Sequence, residues 1–248
     1  PMFMPTVVAK KLGKDLPVSD EDIISFMLDK RLHFKPGGMS SYSNLGYVIL
    51  GKVIEQVSNQ SYEDYIKGSV LFPLGIYDMQ LGNSHLDQLN PLEVRYYEPF
   101  DSNLTSDYSI AEQMVPRVYG GNDIRTLGAA GGWIASSTDL MKFMLAIDGN
   151  PVPADIISPE SVKLMTTPIE PGYHPYGWRG VQAGERYRTG TLAGTSTLMV
   201  NRDDGISYVV LFNSSTWKGP KLANDIRRMM HKGIAKTNEW AEFDLVSE

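Results

Sequence analysis

The stretch from Thr195 to Phe212 constrains the fold of this chain more than any other. It holds two short apolar runs, Leu198-Met199-Val200 and Tyr208-Val209-Val210, and Asp203-Asp204-Gly205 between them carries turn chemistry, so the pattern predicts a β-hairpin. Tyr176–Val181 and Glu185–Thr189 read as two more short strands before it. Together they predict an antiparallel meander over the last third. A helix of roughly Pro220–Ile234 follows, with Leu222, Ile226, Met229 and Met230 on one side, suited to cover one face of that sheet.

Upstream the pattern is helical. Ser19 caps a helix whose first turn is acidic and whose Ile23, Ile24, Met27 and Leu28 recur at helical spacing, ending before the Phe34–Gly38 turn. A second helix is read from Leu45 through Val57, and a third from Ser61, with Asp64 three residues on, to Phe72-Pro73-Leu74-Gly75. From Leu81 to Ala130 no period is sustained, which predicts long loops and one short strand at Val94–Tyr97. Gly131-Gly132 reads as a tight turn into a helix capped in the Ser136–Thr138 region. Another helix has Ser158 as cap and Pro159 in its first turn. The chain thus divides into a mostly helical region with long loops, 1–170, and a sheet-plus-helix region, 171–248.

Composition excludes whole classes of function. The 248 residues carry 23 Lys plus Arg against 29 Asp plus Glu, a net charge of −6 with the signs mixed along the chain, which argues against a nucleic-acid partner. There is no cysteine, which removes disulfides, thiolate nucleophiles and Cys-based metal sites. The four histidines, His33, His85, His174 and His231, are far apart in sequence and read as exposed or capping residues, so no metal site is expected. No apolar run approaches the ~18–20 residues of a membrane span. G-x-S-x-G, H-E-x-x-H, the P-loop and the dinucleotide fingerprint are all missing.

Three stretches in a fixed order carry chemistry. A turn delivers Tyr42-Ser43-Asn44 onto the start of an apolar helix; GAAGGWIASSTDLMKFM follows; and YRTGTLAGTSTLMVNRDDGISYVVLFNSS closes the series. Taken singly, Tyr42 would be a packing tyrosine, Asn44 a helix cap and Thr189-Gly190 a strand end. In this order they resemble the serine β-lactamase and penicillin-binding-protein superfamily, in its branch of class C β-lactamases, DD-peptidases and esterases.

That resemblance implies an α/β fold, an antiparallel sheet flanked by helices plus a mostly helical subdomain, here incomplete at the N-terminus. It implies that Tyr42 relays protons to and from the nucleophile and leaving group, and that the Asn44 amide binds substrate. Arg188-Thr189-Gly190 stands where the family has Lys-Thr-Gly or His-Thr-Gly on the strand edging the site. Gly190 would let substrate approach the strand, and the Thr191 N–H would be an oxyanion-hole donor. Arg188 keeps a cation for a substrate carboxylate but cannot act as a neutral base. All of these would line one cleft.

The family's Ser-x-x-Lys nucleophile element lies well upstream of Tyr-x-Asn, and residues 1–41 contain none. Ser215-Thr216-Trp217-Lys218 is the sole match, and it follows a strand in the wrong order. The expectation is therefore the C-terminal portion of a bacterial serine hydrolase acting on an amide, β-lactam or ester carbonyl through an acyl-enzyme. This chain would be truncated, without its nucleophile and inactive alone. Small molecules or peptides would be its substrates, no cofactor would be needed, and the compartment would be extracytoplasmic, the periplasm. The alternative is a non-catalytic binding protein of the same fold. A meander lacking its companion strands would also expose an unpaired edge, which predicts self-association.

Overall fold

In the computed structural model, residues 2–99, 104–169, 174–182 and 184–241 are described. Contacts group the chain into two units: Pro1–Phe72, Met79–Val94 and Phe100–Ile134 in the first; Pro73–Asp78, Arg95–Pro99 and Ala135–Glu248 in the second.

The first unit opens with α1 (Pro5–Leu12), a helix that the sequence pattern does not announce. Pro5 sits in its first turn and Gly13 closes it in the left-handed conformation at φ 65°, while Val8 and Ala9 are buried. In α2 (Asp20–Leu28) the Ser19 hydroxyl accepts the Asp22 N–H and the Asp22 carboxylate accepts the Ser19 N–H, a complete capping box. Helix α3 (Asn44–Ser58) starts on Ser43, whose hydroxyl accepts the Gly46 N–H at 3.1 Å. Lys52 of α3 ties the two helices, its Nζ 2.8 Å from carboxylate oxygens of Asp20, Glu21 and Glu55. Burial works against the Lys52 charge, but the hydrogen bonds it donates to these carboxylates outweigh it and raise its pKa above the ordinary lysine value. Helix α4 (Tyr62–Ile66) is capped by Ser61, as its spacing predicts.

The region read as loop holds short, scattered pairings. Strand β1 (Gln80–Leu81) pairs with β4 (Trp133–Ile134), and β2 (Leu104–Ser106) with β3 (Met114–Pro116), with the short helix α5 (Ile124–Leu127) between β3 and β4. Gly131-Gly132 turns the chain into β4, not directly into a helix; a Cβ on Gly132 would lie 2.3 Å from the Ile124 carbonyl oxygen. Val94–Tyr97 forms no strand. Its one pairing is an isolated bridge from Tyr97 to Ser214, within the second unit.

In the second unit α6 (Ser137–Leu145) is capped by Ser136 and α7 (Pro159–Thr166) by Ser158. The meander then runs β5 (Gly180–Gln182), β6 (Glu185–Leu192), β7 (Thr195–Arg202) and β8 (Ser207–Phe212), in the order β5-β6-β7-β8 and antiparallel throughout. Leu198 pairs with Val210, Met199 with Val209 and Val200 with Tyr208, around a turn in which Gly205 takes φ 84°. Helix α8 (Lys221–Ile234) covers one face. Leu198, Val200, Tyr208 and Ile226 form a buried cluster, joined by Tyr187, Val210, Leu222, Met230 and Ile234. Leu222, Ile226, Met230 and Ile234 repeat every four residues, one stripe of a helix. Met229, expected on that stripe, is 71% exposed because it lies a quarter-turn away.

Candidate active site

Tyr42, Ser43 and Asn44 are placed by the start of α3. Ser43 holds an extended backbone and caps the helix, which leaves Tyr42 just outside it and Asn44 as its first residue. The Tyr42 hydroxyl donates to Asn44 Oδ1 at 2.6 Å, so the two side chains act as one polar group at the helix N-terminus. The bond occupies the amide oxygen of Asn44 and directs its NH2 donors elsewhere. Both residues lie in the first unit.

Arg188, Thr189, Gly190 and Thr191 lie in the second unit, along β6. β7 pairs with all four, through Met199, Leu198, Thr197 and Ser196. On the other side, β5 pairs with β6 only as far as Tyr187, whose carbonyl accepts the Arg179 N–H at 2.9 Å. Hydrogen bonding alternates sides along an antiparallel strand, so the backbone groups of Thr189 and Thr191 point toward β5's side of β6, past the end of β5. Those of Arg188 and Gly190 are taken by β7. The Thr189 hydroxyl accepts from Arg179 Nη1 at 3.2 Å. Arg188 and Gly190 project to the face opposite α8, and a Cβ at Gly190 would lie 2.5 Å from Thr197 Oγ1, so a larger residue there would make the Thr197 side chain turn away.

Ser215 and Lys218 are turned to other work. Ser215 is buried, with its Oγ accepting the Gly194 N–H at 3.1 Å, and Lys218 Nζ lies 2.7 Å from Asp225 of α8.

Two of the four histidines hold buried carboxylates, against the expectation of exposed or capping roles. His85 Nε2 is 2.8 Å from Oδ2 of the fully buried Asp107 and stacks on Tyr108. Burial opposes the charge on Asp107, but the Ser109 amide, His85 and the Ser109 hydroxyl hold its carboxyl below the ordinary range. His231 and Arg227 of α8 both face the buried Glu185 at the start of β6. Neither pairing leaves a sequence signal, since each joins residues far apart in the chain. Among the described residues, no group of three or more His, Cys, Asp or Glu is placed to hold a metal ion, and no helix is long and apolar enough to cross a membrane.

The beta-lactamase family model matches residues 5–229. The chain belongs to the beta-lactamase family. Penicillin-binding protein 4* of Bacillus subtilis is 34% identical over 80 residues, which are 32% of this chain and 17% of that protein. Among solved structures, the D-amino acid amidase of Ochrobactrum anthropi complexed with D-phenylalanine superposes with a TM-score of 0.69 at 17% identity, over 90% of this chain and 66% of that one. At that identity the likeness is one of fold. The octameric penicillin-binding protein homologue of Pyrococcus abyssi gives a TM-score of 0.63 at 26% identity, over 91% of this chain and 51% of that one. The chain thus spans less than two thirds of each of these relatives. The mixed α/β fold, an antiparallel sheet with helices, is the one that the resemblance implies.

Proposed function

We propose that this chain is the C-terminal portion of a β-lactamase-like serine hydrolase that cleaves an amide, β-lactam or ester carbonyl through an acyl-enzyme. The observation that carries the reading is the Tyr42–Asn44 hydrogen bond at the N-terminus of α3, in a chain matched by the family over residues 5–229. In the proposed reaction a serine Oγ adds to the substrate carbonyl, and the developing oxyanion is met by the Thr191 N–H. Collapse breaks the bond to the leaving group, which takes the proton given up by the serine hydroxyl and relayed through Tyr42, and water then adds to the acyl-enzyme, releasing the acid and returning a proton to the serine. Asn44 offers its NH2 to the substrate, and Arg188 offers a permanent cation to a carboxylate.

The serine is proposed to lie outside this sequence. Residues 1–41 hold no Ser-x-x-Lys, and Ser215 has its lysine drawn to Asp225. Treatment of the 248-residue chain with a fluorophosphonate or a fluorescent penicillin is expected to leave its mass unchanged. A longer product of the same gene, carrying an upstream Ser-x-x-Lys, is expected to be labelled at that serine. Stoichiometric labelling of any serine in the present chain would sink the proposal, and a longer product that binds penicillin without an adduct would favour a non-catalytic binding protein.

We also propose self-association through the outer edge of β8, which has no strand partner among the described residues. The octameric state of the Pyrococcus abyssi homologue supports this.

A further inference from the structure

The tetrapeptide Ser215-Thr216-Trp217-Lys218 has no part in the proposed reaction, and its contacts suit a different one. Ser215 Oγ accepts the N–H of Gly194 at 3.1 Å in a buried setting. Gly194, at φ 73°, is the second residue of the two-residue turn joining β6 to β7, three residues beyond Thr191. The backbone around Ser215 is fastened on its other side: its N–H donates to the Tyr97 carbonyl at 3.1 Å, and the Tyr97 N–H donates to the Asn213 carbonyl at 3.0 Å. Thr195 Oγ1 adds a bond to the Phe212 carbonyl at 3.1 Å. Three residues after Ser215, Lys218 reaches Asp225 in the first turns of α8.

We propose that this tetrapeptide is a clasp and Ser215 a positioning residue for the Thr191 N–H. The argument is mechanical. Among the described residues no strand pairs with the outer side of β6 past Tyr187, so the backbone at the turn end of the hairpin is held from the β7 side, and an edge strand frays most readily there. Ser215 supplies the missing restraint at the turn, because a buried backbone N–H left unpaired is costly. A fixed turn fixes the Leu192–Thr195 pair, and that pair sets where Thr191 presents its N–H. Lys218 extends the same segment to α8, so one stretch of chain secures both the edge strand and the helix covering the sheet. The inference rests on the reading of Thr191 as an oxyanion donor.

Amide hydrogen exchange by NMR on the 248-residue chain tests it. In Ser215→Ala the Gly194 and Leu192 amides are expected to exchange about tenfold faster, the loss of one net hydrogen bond. The Thr191 amide resonance should shift while the amides of Val200 and Ile226 hold their rates. Ser215→Thr should restore the wild-type pattern, and Lys218→Met should leave Gly194 unchanged. Unaltered exchange at Gly194 and Leu192 in Ser215→Ala overturns the clasp, as does fluorophosphonate labelling of Ser215. If Ser215→Ala does not fold, Ser215→Cys keeps the volume, accepts only weakly, and carries the same expectation and the same refutation. The oxyanion reading fails separately: if Thr191→Pro in the longer, nucleophile-bearing protein leaves kcat unchanged, that assignment falls while the exchange result stands.

Discussion

Tyr208 carries a phenol into the cluster of Leu198, Val200 and Ile226, and its hydroxyl makes no hydrogen bond among the described residues. Burial, followed by the nearby Glu185 carboxylate, pushes its pKa up to about 12 against the opposing pull of Arg227 and Arg202. The folded chain therefore keeps this proton through a range where an unfolded tyrosine, near ~10, has released it. The stability involved is fully present below pH ~10 and is lost as pH rises toward ~12, by about 2 kcal/mol. Denaturant titrations across that range should record the loss, and Tyr208→Phe should be spared it. At pH 7 the same substitution should change stability by less than about 1 kcal/mol, because the hydroxyl it removes has no partner to lose. A loss above about 2 kcal/mol at pH 7 would refute this account of the site.

At the scale of elements, much of the fold was legible wherever local chemistry decides it. Ser19, Ser61, Ser136 and Ser158 cap the helices that their spacing announced, and the Asp203-Asp204-Gly205 turn sets the register of Leu198 against Val210. Helix α1 was missed although Pro5 and Gly13 bracket it, because Met4 gives its N-terminus no capping side chain, the signal by which the equally short α7 was read. Strands β1 and β4, of two residues each, have no period at all. They form because the Leu81 N–H finds Glu63 and the Gly82 N–H finds Gly132, long-range bonds that no local pattern reports. In the candidate site, the residue types at 42, 44 and 188–191 could be read from order, but the end of the β5 pairing at Gly180, opposite Tyr187, beyond which Thr189 and Thr191 have no strand partner on that side among the described residues, could not. On α8 the apolar stripe was read with one residue too many, and this gives a test. Ile226→Ala should cost about 2–4 kcal/mol, as expected for a buried aliphatic side chain, and Met229→Ala under about 0.5 kcal/mol. Comparable losses from the two would mean that the helix sits rotated from this description.

For the whole molecule, the consequential feature is the outer edge of β8. Its inner side is bonded to β7, with the Arg202 N–H donating to the Ile206 carbonyl at 3.2 Å. By antiparallel alternation Tyr208 and Val210 also turn their backbone groups inward, and Val209 and Leu211 turn theirs outward. Outward N–H and C=O groups on a half-buried Val-Val-Leu run with no strand partner among the described residues are a template for another strand, and there is no proline or charge between Ser207 and Phe212 to blunt it. Mass should therefore rise with concentration above the 27.6 kDa of a single chain when measured by light scattering. Val209→Pro removes an outward donor while keeping every bond to β7, so it should hold the chain at the single-chain mass with its far-ultraviolet circular dichroism intact. Val210→Pro removes an inward donor and should lower stability by about 3 kcal/mol or more. If the wild-type chain stays at 27.6 kDa across the concentration range, or if Val209→Pro associates as the wild type does, the β8 edge is not where copies of this chain meet.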